Sequence, residues 1–300
     1  MRYPRLVPSP AHRYVVDPTD PRAPEDATWA QMTEEERRQV IAMLPPEVPW
    51  ELSPPEGDEH RTAREKALDA LGRFFRTTGR RVYLSSELGV FYPGEPRFAP
   101  DVLAVLDVEP HARTSWIVQA EGRGLDFVLE VHVAGDLAKD IDGNVEKYAR
   151  LGIGEYFVFD RSRMRIHGYR LPPAQRGAVR AGRSYERLVP QMGRWTSEVL
   201  GIDLVLQEGG LRFMFGSGLM EHSDEVIERL GNMLDTVIAH KEEAERERLE
   251  ALARTEKLEA ELAEERRARE EERRAREEAE RRVKELEAEL ARRDGSGGAS

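Results

Sequence analysis

Apolar and polar positions change rhythm several times along the chain. From His60 onward Ala63, Ala67, Leu68, Leu71, Phe74 and Phe75 recur at helical spacing, and Gly79 stands where that helix would end. Short strand-like runs follow at 82–85, 89–92, 101–106, 115–119 and 126–133. A helical rhythm returns over 141–151, closed by Gly152. Strands resume at 155–159 and 164–169, with weaker ones near 185–189 and 204–215. Helix, strands, helix, strands is the order of an α/β domain. At about 150 residues such a domain buries a real core.

The two ends read differently. Eleven of the eighteen prolines precede residue 56, so residues 1–30 read as an extended arm. One short helix is expected over 33–44, where Thr33 and Glu36 form a capping box and Pro45-Pro46 stops it. Pro54-Pro55-Glu56-Gly57 reads as a turn. From Ser223 the residues Ile227, Leu230, Leu234, Val237 and Ile238 make an apolar stripe. Further on, EERRARE at 264–270 repeats at 271–277, which is the coiled-coil period. Glu-to-Arg pairs four apart, such as Glu265/Arg269 and Glu270/Arg274, each add ~0.2–0.5 kcal/mol to an isolated helix. A dimeric coiled coil and a single charged helix both fit this tail. The division is therefore a Pro-rich arm (1–58), an α/β domain (59–216), a charged helical tail (221–294) and a frayed, disordered end (295–300).

Composition narrows the chemistry. There is no cysteine among the 300 residues, which excludes a disulfide framework, a thiolate nucleophile and iron–sulfur or zinc–thiolate sites. No apolar run reaches membrane-spanning length, and residues 1–10 lack a signal-peptide pattern, so no membrane partner and a cytoplasmic setting are expected. The net charge of −11 is unlike that of a basic DNA-coating protein. Within 241–294 sit 16 basic and 20 acidic side chains, nearly balanced, as in a salt-bridged helix. Only six lysines stand against forty arginines, and only Lys66, Lys139 and Lys147 lie outside the tail.

One strand carries an anomaly. In FVLEVHV (127–133), Phe127, Leu129, Val131 and Val133 share one face, and Val128, Glu130 and His132 share the other. A carboxylate amid apolar neighbours is costly to bury without a partner. An edge strand in water or an ion pair with arginine would satisfy it. A second acid suggests another use, because Pro100-Asp101 opens the apolar strand 102–106. Two such carboxylates can converge on Mg²⁺ or Mn²⁺, which prefer oxygen ligands. The ion would polarise a phosphoryl oxygen and activate water.

Pro100-Asp101 followed by Glu130-Val131-His132 resembles the PD-(D/E)XK nuclease skeleton. Residues 60–215 look like its Uma-two family, often described as restriction endonucleases. His60 opens the first helix, 85–90 precedes Pro100-Asp101, and Asp140 follows Glu130 by ten residues. The most specific part is Tyr148-Ala149-Arg150-Leu151-Gly152-Ile153 running into Glu155-Tyr156-Phe157-Val158-Phe159-Asp160. The resemblance implies an α/β, restriction-endonuclease-like core, a mixed β-sheet flanked by helices, here with a long C-terminal helix or coiled coil. It implies Asp101 and Glu130 as ligands of Mg²⁺ (or Mn²⁺), and DNA as substrate. The chain departs from the pattern twice: His132 stands for the tripeptide's lysine, and Asn144 stands where the family tends to carry another. His132, Lys139 and Lys147 are thus the remaining catalytic candidates. The expected activity is metal-dependent hydrolysis of DNA phosphodiester bonds by a homodimer joined through its C-terminal helix. The alternative is a catalytically inactive nuclease-fold module, acting as a scaffold or nucleic-acid binder through the tail.

Other residues have a chemical and a plain reading side by side. Gln119 and Glu121 would approach the metal or face solvent, and Glu65 would be a further acid or a surface charge. Tyr148 would serve catalysis or the core; Trp116 and Trp195 read as packing. Arg161, Arg163 and Arg165 alternate, so one face would touch phosphates or simply water. No phosphate-binding glycine loop and no Ser/His/Asp elbow is present.

Overall fold

The computed structural model describes residues 14–49, 57–133, 139–176 and 182–296, side chains at 139, 140 and 291–296 excepted. The first thirteen residues of the expected arm, its turn at 54–56 and the last four residues of the chain lie outside them. Two units divide the chain, 1–226 and 227–300.

In the first unit α1 (Asp26–Gln31) and α2 (Glu34–Met43) come first. Thr33 caps α2 reciprocally with Glu36, each side chain taking the other's backbone N–H. The Pro-rich stretch therefore holds one more helix than its proline density suggests. Val16, Ala23, Met32, Val40 and Leu44 bury together with Phe91 and Ile117, which gives this segment a core to pack on. The helix α3 (Asp58–Thr78) ends at Gly79, whose φ of 67° is the left-handed conformation that glycine adopts freely.

The strands β1 (Val82–Ser85), β2 (Val90–Phe91) and β3 (Val102–Leu106) follow. Where 115–119 reads as one strand, the structure has only a short β4 (Trp116–Ile117) and then a helical turn, α4 (Val118–Glu121). Gln119 explains the change: its amide donates to the Pro24 carbonyl at 2.9 Å and to Asp26 at 3.0 Å, which ties the segment to α1. Next come β5 (Phe127–His132), a π-turn (Lys139–Gly143) and α5 (Asn144–Leu151). The unit continues with β6 (Glu155–Asp160), β7 (Arg165–Arg170), β8 (Glu186–Arg187), β9 (Arg194–Ser197), β10 (Ile202–Gln207), β11 (Gly210–Phe215) and β12 (Gly218–Leu219). Both residues between β10 and β11, Glu208 (φ 55°) and Gly209 (φ 73°), have positive φ, as a tight hairpin requires.

The main sheet has the order β1-β3-β5-β6-β7-β8. Only β5 and β6 run parallel, with α5 in the connection between them; the other neighbours are antiparallel. A second, four-stranded antiparallel sheet is ordered β12-β11-β10-β9. Phe127, Leu129, Val131, Phe157 and Phe159 pack against α3 and the second sheet. Val128, Tyr156 and Val158 pack on the opposite side with Tyr148, Leu151 and Trp116. Strand β5 is thus interior and covered on both faces, which accounts for its near-continuous apolar sequence.

The helix α6 begins at Ser223 and runs to Ser296, two residues past the expected end of the tail. Its apolar residues from Ile227 to Leu290, among them Leu234, Val237, Leu258, Leu262 and Val283, are exposed.

Candidate active site

Strand register builds the site. β3 and β5 pair antiparallel with Val102 opposite Leu129, so Asp101, just before β3, falls beside Glu130. The Asp101 backbone N–H donates to Glu130 Oε2 at 3.1 Å. In return Val131 N–H donates to Asp101 Oδ2 at 2.7 Å. Each carboxylate is thereby fixed by the other residue's strand. The two acids singled out by the sequence do come together, and Glu130 sits in an interior strand rather than at an edge.

Two further side chains complete the arrangement. His60, on the first turn of α3, places Nε2 3.0 Å from Asp101 Oδ2, and its side chain is only 3% exposed. Tyr148, on α5, donates its phenol to Glu130 Oε1 at 2.8 Å. Burial pushes the Tyr148 hydroxyl well above its ordinary value, and the nearby Glu130 charge adds to this. The phenol therefore stays protonated and remains a donor. Among the described residues Asp101 Oδ1 makes no hydrogen bond.

The remaining candidates stand as follows. His132 lies two residues beyond Glu130 on the same face, buried, opposite Asp160 of β6. Lys147 places its ammonium 4.0 Å from the Phe98 ring centroid and 5.7 Å from that of Tyr148. Lys139 opens the π-turn, and its side chain, like that of Asp140, lies outside the described residues. Gln119 is engaged with the α1 region, and Glu121 forms an ion pair with Arg113 at 2.8 Å, so neither reaches the carboxylates. Glu65 is an exposed partner of Arg61. Of the arginine run, Arg161 binds Glu59 and Arg163 binds Asp160.

A metal fits this donor set in kind. Two carboxylates anchored by backbone N–H groups, one with an oxygen unengaged, suit a hard divalent cation. Among the described residues no three His, Asp or Glu side chains are gathered into a metal site.

Neither His60 nor Tyr148 carries a strong local signal in the sequence. His60 drew notice only as the residue opening a helix, and Tyr148 was weighed between core and catalysis. Tyr148 belongs to the aromatic core and also donates to Glu130. Its place four residues after Asn144, on the helix following the Glu130 strand, was the available signal.

Mixed sheet, flanking helices and two acids coupled across neighbouring strands define an α/β protein with a candidate carboxylate site. Residues 29–207 match the model of the Uma2 family, described as "Putative restriction endonuclease", and the chain belongs to that family. The match begins ahead of the expected boundary near residue 60 and takes in α2. No curated protein matches the chain. Among solved structures it is similar to "a putative nuclease belonging to DUF820" from Anabaena variabilis ATCC 29413. That likeness has 14% identity and a TM-score of 0.34, and covers 46% of this chain and 73% of the other.

Proposed function

We propose that this protein is a Mg²⁺- or Mn²⁺-dependent endonuclease that hydrolyses DNA phosphodiester bonds. The observation that carries the reading is the coupled pair Asp101–Glu130, held by crossed backbone hydrogen bonds and by His60 and Tyr148. A metal bound there would supply Lewis-acid activation of the phosphoryl group and of water. The chain's own residues prepare that place. Asp101 offers Oδ1 while His60 and Val131 hold Oδ2. Tyr148 orients Glu130, and orienting partners of this kind commonly change metal affinity or activity by about 10–100-fold when removed. Lys147, beside Tyr148, is the cation we assign to stabilise charge on the phosphate, in place of the lysine absent at Asn144. His132 occupies the position of the tripeptide lysine and is buried, opposite Asp160 of β6.

Asn144 also supports a second reading, a nuclease-fold module without turnover. Calorimetric titration of Mn²⁺ separates the two. The enzyme reading expects binding that is lost in Asp101→Ala and Glu130→Ala, and the scaffold reading expects none in any of the three proteins.

We further propose that the second unit pairs with a second copy of the chain. One heptad frame puts Ile227, Leu234, Leu262, Val283 and Leu290 at one seam position and Leu230, Val237, Leu258 and Leu286 at the other, with Lys241, Arg248, Arg269 and Arg276, and Glu265 and Glu272, at the same positions between them. Exposed singly, this seam has a second copy as its natural cover. Sedimentation equilibrium of the full chain should give a dimer mass, and Leu258→Glu with Leu262→Glu should halve it. A monomeric wild type at micromolar concentration would contradict the assignment.

A further inference from the structure

The sheet carries the site's face toward its far edge. Glu130 pairs with Val158 and Val158 with His167; one row on, His132 pairs with Asp160 and Asp160 with Arg165. Residues paired across strands share a face, and Arg187 joins it by pairing with Tyr169, two positions beyond His167. Arg165, His167 and Arg187 thus lie on the face that holds Glu130. At roughly 4.8 Å per strand, β7 is about 10 Å from β5, and β8 about 14 Å.

These two arginines differ from their neighbours. Arg161 and Arg163 are engaged by Glu59 and Asp160, whereas Arg165 and Arg187 are exposed and make no hydrogen bond or ion pair among the described residues. Two acids act on this face, Asp160 near His167 and Asp142 near Tyr169, and Asp160 already receives Ser162 Oγ at 2.7 Å and the Arg163 backbone at 3.1 Å. Between the arginines, His167 Nε2 is buried without a hydrogen-bond partner among the described residues. Burial and the charges of Arg187 and Arg165 push this imidazole below its ordinary value, so it is neutral near pH 7. All three border a hollow of about 450 Å³ at the β8 edge of the sheet, whose apolar wall, Trp195 and Leu206, comes from the second sheet on the other face. In a chain of net charge −11, a polyanion needs such a local cluster to approach.

We infer that Arg165, His167 and Arg187 form a phosphate-binding subsite that holds the DNA backbone on the β8 side of the carboxylate pair. The assignment of DNA as ligand rests on the nuclease reading. Two free guanidiniums offer forked donors to phosphate oxygens, and the neutral His167 supplies one more polar atom between them. Neighbouring phosphates on one strand of a duplex lie roughly 7 Å apart, because winding adds to the axial rise of about 3.4 Å, so 10–14 Å corresponds to about two nucleotides. The subsite therefore grips the strand about two nucleotides from the scissile bond.

Fluorescence anisotropy with a labelled DNA duplex, in EDTA to prevent cleavage, tests this on the full chain. Both arginines are exposed, so their truncation should leave the melting temperature unchanged. In Arg165→Ala with Arg187→Ala, Kd should rise roughly ten-fold per arginine. The slope of log K against log salt should become shallower by about 2. Asp101→Ala should bind as wild type does. Wild-type affinity and slope in the double variant would overturn the subsite, as would a loss confined to an RNA ligand. A wild type that does not cut, yet binds duplex through both arginines, would sink the nuclease reading and keep the subsite. A wild type that cuts, with a double variant that binds normally, would do the reverse.

Discussion

Tyr148→Phe removes one oxygen atom and leaves the aromatic core in place. The ring is T-shaped against Tyr156 at 4.9 Å and tilted against Phe98 at 5.4 Å, contacts a phenylalanine retains. What disappears is a 2.8 Å hydrogen bond from a 2%-exposed phenol to the Glu130 carboxylate. Hydrogen bonds to charged groups are worth about 1.5–3 kcal/mol net. Tyr148→Phe should therefore lower unfolding free energy by about 1–2 kcal/mol, since Glu130 Oε2 keeps the Asp101 backbone donor. The larger effect should fall on function. With one anchor of the Glu130 carboxylate gone, Mn²⁺ affinity or cleavage rate should drop about 10–100-fold. Tyr185→Phe is the control: its phenol donates to the Ile153 carbonyl at 2.9 Å, in the same core but away from the acids. That variant should lose stability without losing metal affinity. Urea denaturation and calorimetric titration of the two variants distinguish the cases. Equal metal affinity in wild type and Tyr148→Phe would refute the claim that Tyr148 orients Glu130.

Other consequences follow from the same geometry. Lys147→Met keeps apolar contact with Phe98 but removes the ammonium, so DNA cleavage should fall at least about ten-fold with melting nearly unchanged; full activity would remove Lys147 from the mechanism. Gly168→Ala would place a Cβ 2.8 Å from the Phe157 ring, and such overpacking should cost about 1–3 kcal/mol in denaturant unfolding. Asp160 has a pH signature: burial alone would raise its carboxyl, but hydrogen bonds from Ser162 and Arg163 outweigh that and hold it below its ordinary 3.8. Its contribution is therefore present above that value and lost as pH falls through the lower folded-state value. Asp69 and Glu225, held low by Ser223 and by Arg212 against the opposing effect of burial, act in the same direction. Melting temperature should thus fall steeply below about pH 4, and less steeply in Asp160→Asn; an unchanged pH slope in that variant would contradict the assignment.

The parts of the fold legible in the sequence were those whose signal is local. The period of α3, the alternation of FVLEVHV and the capping box of α2 are each read within one element. The segment 115–119 misled because Val118 and Ile117 favour strands, while tertiary bonds from Gln119 to Pro24 and Asp26 favour a helical turn there. Helix α1 hid among prolines for a similar reason, its hold coming from partners far along the chain such as Phe91 and Ile117. The site divides the same way. Asp101 and Glu130 stood out because an acid in an apolar strand is anomalous by itself. His60 and Tyr148 looked ordinary, and only the fold brings them across 41 and 18 residues to the carboxylates. The alternating run singles out Arg165 with Arg161 and Arg163, but nothing in the sequence marks Arg187, or shows that Arg165 and Arg187 lack partners among the described residues while Arg161 and Arg163 have them.

The central claim is that the Asp101–Glu130 pair is the metal-dependent catalytic centre of a DNA endonuclease. Supercoiled plasmid nicking with Mg²⁺ or Mn²⁺ tests it most directly. Wild type should convert the plasmid to nicked or linear form, and Asp101→Ala and Glu130→Ala should each abolish that conversion while still binding DNA. Equal cleavage by all three proteins, or none by wild type with either ion, would contradict it.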